Sequence, residues 1–172
     1  SYYILLSISL IYSGTLLVPS EYSTIQSAID NANIQDTILV EAGEYEENIS
    51  IDQELYLLSS SGPTNTTLNG SFSGSVVTVD APGDSVHISG FTIRNGTGNL
   101  LDSGSTFGGG IISHNTELFL DSLIVEDNEA FAGGGICFYE MQASEIHSRL
   151  SNSIIRNNLG SEGGGVLRLI SF

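Results

Sequence analysis

The sequence predicts an all-β solenoid, a stack of short strands wound around one core. Three observations lead there. Short apolar runs follow one another from residue 49 onward, with Gly, Asn, Asp and Ser in the gaps and no helical period between them. A Gly-Gly-Gly-aliphatic element recurs at 108–111, 133–136 and 163–166, and repeats of this spacing mark solenoids, propellers or arrays. Twenty glycines stand against three prolines, a balance that suits tight turns between ordered strands better than a flexible linker.

The first element is an uncharged stretch, residues 2–17. It reads as the apolar core and small-residue end of a secretory signal, or as a first buried strand. It is too short and too serine-rich for a membrane span. Ser23 followed by Gln26 then marks a capping box. Ile25, Ala28, Ile29 and Ala32 recur at helical spacing, so a short amphipathic helix is expected over about residues 24–33. Thr37–Val40 reads as a strand and Ala42-Gly43 as a turn. Strand-like runs follow at Ile49/Ile51, Leu55–Leu58, Val76–Val79, Val86/Ile88, Phe91–Ile93, Ile111/Ile112, Leu118–Leu120, Leu123–Val125, Ile136–Phe138, Ile154/Ile155 and Val166–Ile170.

The repeat extends upstream of the glycines. Ile124-Val-Glu-Asp-Asn128 and Ile154-Ile-Arg-Asn-Asn158 precede the second and third copies, and Phe91-Thr-Ile-Arg-Asn95 reads as an earlier version. Asn128 and Asn158, one repeat apart, are expected to stack at a turn and exchange amide hydrogen bonds. The helix is placed to cover the end of the solenoid as a cap.

Charge narrows the function. The 172 residues carry 20 carboxylates and four arginines, with no lysine, for a net charge of −16. A Schiff-base lysine and a P-loop lysine are excluded. Nucleic acid and anionic lipid are disfavoured partners, because both need clustered positive charge. The single Cys137 has no partner for an internal disulfide and reads as a small buried apolar residue.

The segments STIQSAID, DTILVEAGEYEENISI and LYLLSSSGPTNTTLNG resemble the N-terminal end of secreted right-handed parallel β-helix proteins of the pectin lyase-like superfamily. HISGFTIRNG and the Gly-Gly-Gly repeats resemble those of bacterial surface proteins. They are also loosely similar to the polymorphic outer-membrane protein repeats of autotransporters, although Val125 and Ile155 stand where that pattern has Phe. The resemblance implies a right-handed single-stranded parallel β-helix over residues 18–172, truncated at its C-terminal end. It implies a secreted or cell-surface location and, as partner, polysaccharide or a cell-surface glycan.

Lyases of this superfamily use a calcium site of stacked carboxylates with a basic residue. Asp80, Asp84 and Asp102 with Arg94 are the candidates here, and the alternative is that they are solvated turn residues. Esterases of the same fold place two Asp, a Gln and an Arg on neighbouring rungs, and no later segment matches their catalytic strands. For glycosidase chemistry, Glu126-Asp127 would point to opposite faces if both lay within a strand. Glu117 with Asp121, or Glu126 with Arg156, could share an outer face. His87, His114 and His147 lack metal spacing and read as solvent-facing or turn residues. Asn48, Asn65, Asn69 and Asn95 stand in glycosylation sequons.

No complete catalytic motif appears, so no catalytic, cofactor or metal residue is assigned, and calcium is the one ion that the resemblance brings in. The expectation is a non-catalytic structural or adhesive module. The alternative is a polysaccharide lyase or pectinesterase-like enzyme with its catalytic rungs elsewhere. An uncapped last rung, Val166–Ile170, should self-associate.

Overall fold

The structure is a computed structural model that describes residues 13–101, 104–140 and 147–170. The chain begins with β1 (Thr15–Val18), α1 (Ile25–Ile29) and β2 (Thr37–Val40), then β3 (Gly43–Tyr45) and β4 (Ile49–Ile51). Next come β5 (Leu55–Ser59), β6 (Thr66–Asn69) and β7 (Val77–Val79), followed by β8 (Ser85–Ser89) and β9 (Thr92–Arg94). A side hairpin, β10 (Asn99–Leu100) and β11 (Thr106–Phe107), precedes β12 (Ile111–His114). The remaining strands are β13 (Glu117–Asp121), β14 (Ile124–Glu126), β15 (Ile136–Glu140), β16 (Arg149–Ser151), β17 (Ile154–Arg156) and β18 (Val166–Ile170).

The strands form three parallel sheets visited in rotation. The first has the order β1-β2-β5-β8-β13-β16, the second β3-β6-β9-β14-β17 and the third β4-β7-β12-β15-β18. From β2 onward each circuit of the chain lays one strand in each sheet, and the antiparallel β10–β11 hairpin leaves this course between the second and third sheets. The fold is therefore all-β and parallel, with one short helix among the described residues.

Registration makes the core. Ile38, Leu57, Ile88, Leu120 and Leu150 are register partners down the first sheet. Leu68, Ile93, Val125 and Ile155 align down the second. Ile49, Val77, Ile111, Ile136 and Val166 align down the third. All but the last member of each column are buried. Alternation puts every second residue of a strand on this inner side, and each buried aliphatic contributes about 1.5–3 kcal/mol.

A second, smaller cluster lies on the outer side of the third sheet. Phe107 of the hairpin covers Ile112, Ala132 and Cys137, with Leu167 and Leu169 packed beside them. The last strand thus turns Leu167 and Leu169 toward this cluster, and its exposed apolar members are Val166 and Ile170. Cys137 is fully buried, and burial pushes its thiol up to about 11, so it is an inert packing residue.

The helix is shorter than its apolar spacing predicts, and it starts one residue later. Thr24, not Ser23, is the N-cap, and its hydroxyl accepts the Ser27 N–H at 3.1 Å. The free Ile25 and Gln26 N–H groups donate to the Glu47 carboxylate at 2.9 and 3.0 Å. After Ile29 the chain passes through tighter turns, Asn31 N–H donating to Ala28 O and Ala32 N–H to Ile29 O, and then reaches Asp36. Its carboxylate accepts the Asn33 N–H at 2.7 Å and the Gly14 N–H at 2.5 Å. Ile25, Ala28 and Ile29 are buried, and α1 packs against β1, β2 and β4. The readings of residues 1–17 fall largely on residues 1–12, outside the described residues, whereas Thr15–Val18 pairs in parallel with β2.

The glycine repeats stack where the second and third sheets meet. Gly108, Gly133 and Gly163 share a left-handed φ of 58–63°. The ladder runs on through the following glycines: Gly110 N–H donates to Gly134 O at 3.1 Å and Gly135 N–H to Gly164 O at 2.9 Å. At this spacing there is no room for a side chain. A Cβ on Gly109 would sit 2.3 Å from Gly134 O, and one on Gly134 2.0 Å from Leu159 O.

The asparagine ladder forms beside them. The Asn128 side chain donates to Asn158 Oδ1 at 3.0 Å and to Ile93 O at 3.0 Å, and its own oxygen accepts the Gly96 N–H at 2.9 Å. Asn158 repeats the arrangement, donating to Val125 O at 2.8 Å and accepting the Asn128 N–H at 3.1 Å. The earlier copy is offset by one residue, since Arg94 aligns with Glu126. Asn95 therefore corresponds to Asp127 and Asn157, all three left-handed with φ of 54–60°, and Gly96 takes the place of Asn128.

Two substitutions measure these contacts. Gly134→Ala should cost at least about 3 kcal/mol through the clash with Leu159 O, whereas Gly83→Ala, with open space and φ of 88°, should cost about 1–2 kcal/mol. Urea unfolding of the two variants gives the comparison. Asn128→Ala leaves the Gly96 N–H unpartnered in a dry interior and removes the amide bridge to Ile93 O, and should cost on the order of 2 kcal/mol. A loss below 1 kcal/mol on the same curves would mean that water replaces the amide.

Candidate functional site

The outer faces carry the polar and aromatic side chains, and parallel register gathers them into rows. On the first sheet Tyr56, His87, Phe119 and Arg149 are register neighbours. The first three rings stack, with centroids 4.7 and 4.5 Å apart and planes within 19° of parallel. Beside them runs Leu58, Ser89, Asp121 and Ser151. The two rows line an open groove of about 360 Å³ that ends at Arg149 and Asn152.

Asp121 is the polar centre of that groove. It accepts hydroxyl and amide donors from Ser122 at 2.7 Å, Ser151 at 2.8 Å and Asn152 at 2.7 Å. These bonds, with the Arg149 charge nearby, hold its carboxyl below the usual range. It shares the outer face of β13 with Glu117, as the alternation predicts. Both carboxylates border the aromatic row.

His87 is half-buried between Tyr56 and Phe119 rather than solvent-facing. Desolvation by the stack lowers its pKa, against the opposing pull of Glu54 and Glu117. His114, tilted against Tyr139 at 5.6 Å, is lowered by burial in the same way, with Asp80 opposing. His147 is exposed.

The second sheet bears a charge ladder. Asn69, Arg94, Glu126 and Arg156 align in register. Arg94 pairs with Glu44 at 2.8 Å, and Asn69 donates to the same carboxylate oxygen at 2.6 Å. The Arg94 charge and these two donors keep Glu44 below its ordinary pKa. Glu126 accepts from Arg156 at 2.6 Å. Asp127 lies past the end of β14 in a left-handed turn, so it and Glu126 are not the two faces of one strand.

The lyase candidates do not converge as a group on Arg94. Its guanidinium is held by Glu44, while Asp80 follows β7 in the third sheet and Asp84 precedes β8 in the first. Asp102 lies outside the described residues. Among the described residues no three of His, Cys, Asp and Glu come together in a metal-binding arrangement. The four sequon amides are engaged: Asn48 donates to Ser75 O, Asn65 to Ser61 O, Asn69 to Glu44 and Asn95 to Asn69.

The aromatic row escaped the sequence reading because Tyr56, His87 and Phe119 fall in circuits of unequal length. Only the register reveals that they are neighbours. No protein-family model matches this chain, and no curated protein matches it in sequence.

The stack has a pH signature. A histidine held neutral in the fold has a depressed pKa, so its contribution is complete above about 6.5, its unfolded value. It is lost as pH falls from there through the folded pKa. His87→Phe keeps the stack and removes that proton. The variant should lose less stability than the parent between pH 7 and 5 in parallel urea titrations, the residual slope coming from His114. Identical slopes would show that His87 charges without leaving the stack.

Proposed function

We propose that this chain is a right-handed parallel β-helix with α1 closing its first end. It serves as a non-catalytic structural or adhesive module of a secreted or cell-surface protein. The fold part rests on the rotation of the chain through three parallel sheets and on the right-handed rule for parallel crossovers. The apolar face of α1, buried against β1, β2 and β4, supports its role as an end cap.

One observation carries the functional part. Three carboxylates of the outer faces bind one circuit to another: Glu44 to Arg94, Asp121 to Ser151 and Asn152, Glu126 to Arg156. Glycan hydrolysis or elimination needs an acid and a base poised across one bond, whereas these groups are turned to neighbours along the stack. A chain of net charge −16 also repels a polyanionic glycan before contact. The ligand that fits an adhesive role is a neutral glycan lying along the Tyr56–Arg149 groove. There the ring edges give apolar contact, and Ser89, Asp121, Ser151 and Asn152 give polar partners.

Incubation with pectin or polygalacturonate, with and without calcium, should release neither unsaturated uronates nor methanol. Turnover that disappears in Arg94→Ala or Asp84→Asn would replace the structural reading with the enzymatic one.

A further inference from the structure

The fold treats the four sequon asparagines differently. Asn48 donates across circuits to Ser73 O and Ser75 O. Asn69 donates to Glu44, and its oxygen accepts the Ser71 N–H and the Asn95 amide. Asn95 has a left-handed φ of 60° and precedes Gly96, whose N–H is held by the buried Asn128. Ser73, Glu44 and Asn69 lie 25 or 26 residues from the asparagines that reach them. These three amides are ties between neighbouring circuits.

Asn65 is the exception. It is exposed, and its amide stays within its own turn, donating to Ser61 O at 2.9 Å and to the exposed Thr64 hydroxyl at 3.3 Å. The turn is anchored by other groups. The Ser59 hydroxyl accepts the Ser61 and Gly62 N–H groups and meets the Thr66 hydroxyl at 2.6 Å. Thr92, in the next circuit, donates to Pro63 O at 2.7 Å. A fixed corner between β5 and β6 thus presents one asparagine side chain to solvent. Ser61, which receives its amide, borders an open recess of about 580 Å³ lined also by Leu17, Leu39, Glu41, Ala42 and Ser60.

We infer that Asn65 carries an N-linked glycan, the other three sequons being structural. The inference rests on the secreted reading above, because such glycans are added along the eukaryotic secretory route. The donor is a polyprenyl-diphosphate oligosaccharide. Asn65 Nδ2 bonds to its anomeric carbon, the C–O bond to the diphosphate breaks, and the diphosphate leaves with that electron pair. The amide gives up one proton, and nothing is oxidised or reduced. The N–H that remains keeps the bond to Ser61 O, and water serves Thr64. At Asn48 the same exchange removes one of two bonds between circuits. At Asn69 or Asn95 it wedges a sugar into the row where Glu44, Arg94 and both asparagines touch. Beside Asn65 the first sugar has the recess, with Leu17 and Leu39 for apolar contact and Ser60 and Ser61 as polar partners.

The test is production of the whole chain behind a cleavable leader in cultured eukaryotic cells. Enzymatic removal of N-glycans turns each occupied asparagine into aspartate, which peptide mass spectrometry locates. Folded protein from the medium should carry sugar at Asn65 and at no other sequon. Asn65→Gln and Thr67→Ala should each abolish the glycosidase-sensitive gel shift and keep the circular dichroism spectrum. If a variant fails to fold, the peptide map of the unaltered chain decides alone. Folded, secreted protein that is bare at Asn65, or that carries sugar at Asn48, Asn69 or Asn95, overturns the inference and leaves the secreted reading standing. Occupancy is read in cell extracts as well. A chain glycosylated at Asn65 but retained inside upholds the inference and counts against the secreted reading.

Discussion

Everything in this molecule depends on the distance at which one circuit can approach the next. That distance is set at the glycine corner, where α-carbons sit against the carbonyls of the following circuit. Gly109, Gly134 and their neighbours let the parallel ladder pass unbroken around a bend that a side chain would wedge open. Held at strand spacing, the inner columns of Ile, Leu and Val meet with no gap. The same closeness forces polar backbone groups into a dry interior, and Asn128 and Asn158 are the residues that satisfy them there.

Outside, the same spacing turns ordinary side chains into rows. A single Tyr or Glu on an exposed strand contributes little, but strand pairing at about 4.8 Å places each within reach of its counterpart above and below. The Tyr56–His87–Phe119 stack and the Glu126–Arg156 ion pair arise in this way. Exposed pairs of this kind are worth little one at a time. Their role here lies in fixing register, since a slip of one residue would put every inner aliphatic on the outer face.

The inner columns were legible in the sequence because β-branched residues alternating with polar ones admit few other readings. The Glu126–Arg156 pairing was legible too, since the 30-residue repeat puts both at one point of its cycle. What escaped was whatever depends on circuit length. Glu44 and Arg94 are 50 residues apart, and nothing in the letters between them announces adjacency. β3, β6 and β16 were missed because Gly43–Tyr45, Thr66–Asn69 and Arg149–Ser151 lack a run of aliphatics, and their neighbours supply the pairing. The helix starts one residue late because Thr24 caps it, while Glu47, from another part of the chain, takes two of its free N–H groups.

The β10–β11 hairpin shows what such a stack permits. Strands β10 and β11 stand off the winding course, and the chain is back on it with Ile111 still opposite Val77. Extra length is thus absorbed sideways, at a corner, without disturbing the strands on either side. Length can also be gained or lost by whole circuits, because each one meets only the circuits next to it. Unequal recombination within such a coding sequence would therefore change the reach of the protein while leaving its cross-section alone. Lineages could vary how far it extends far more readily than what shape it has.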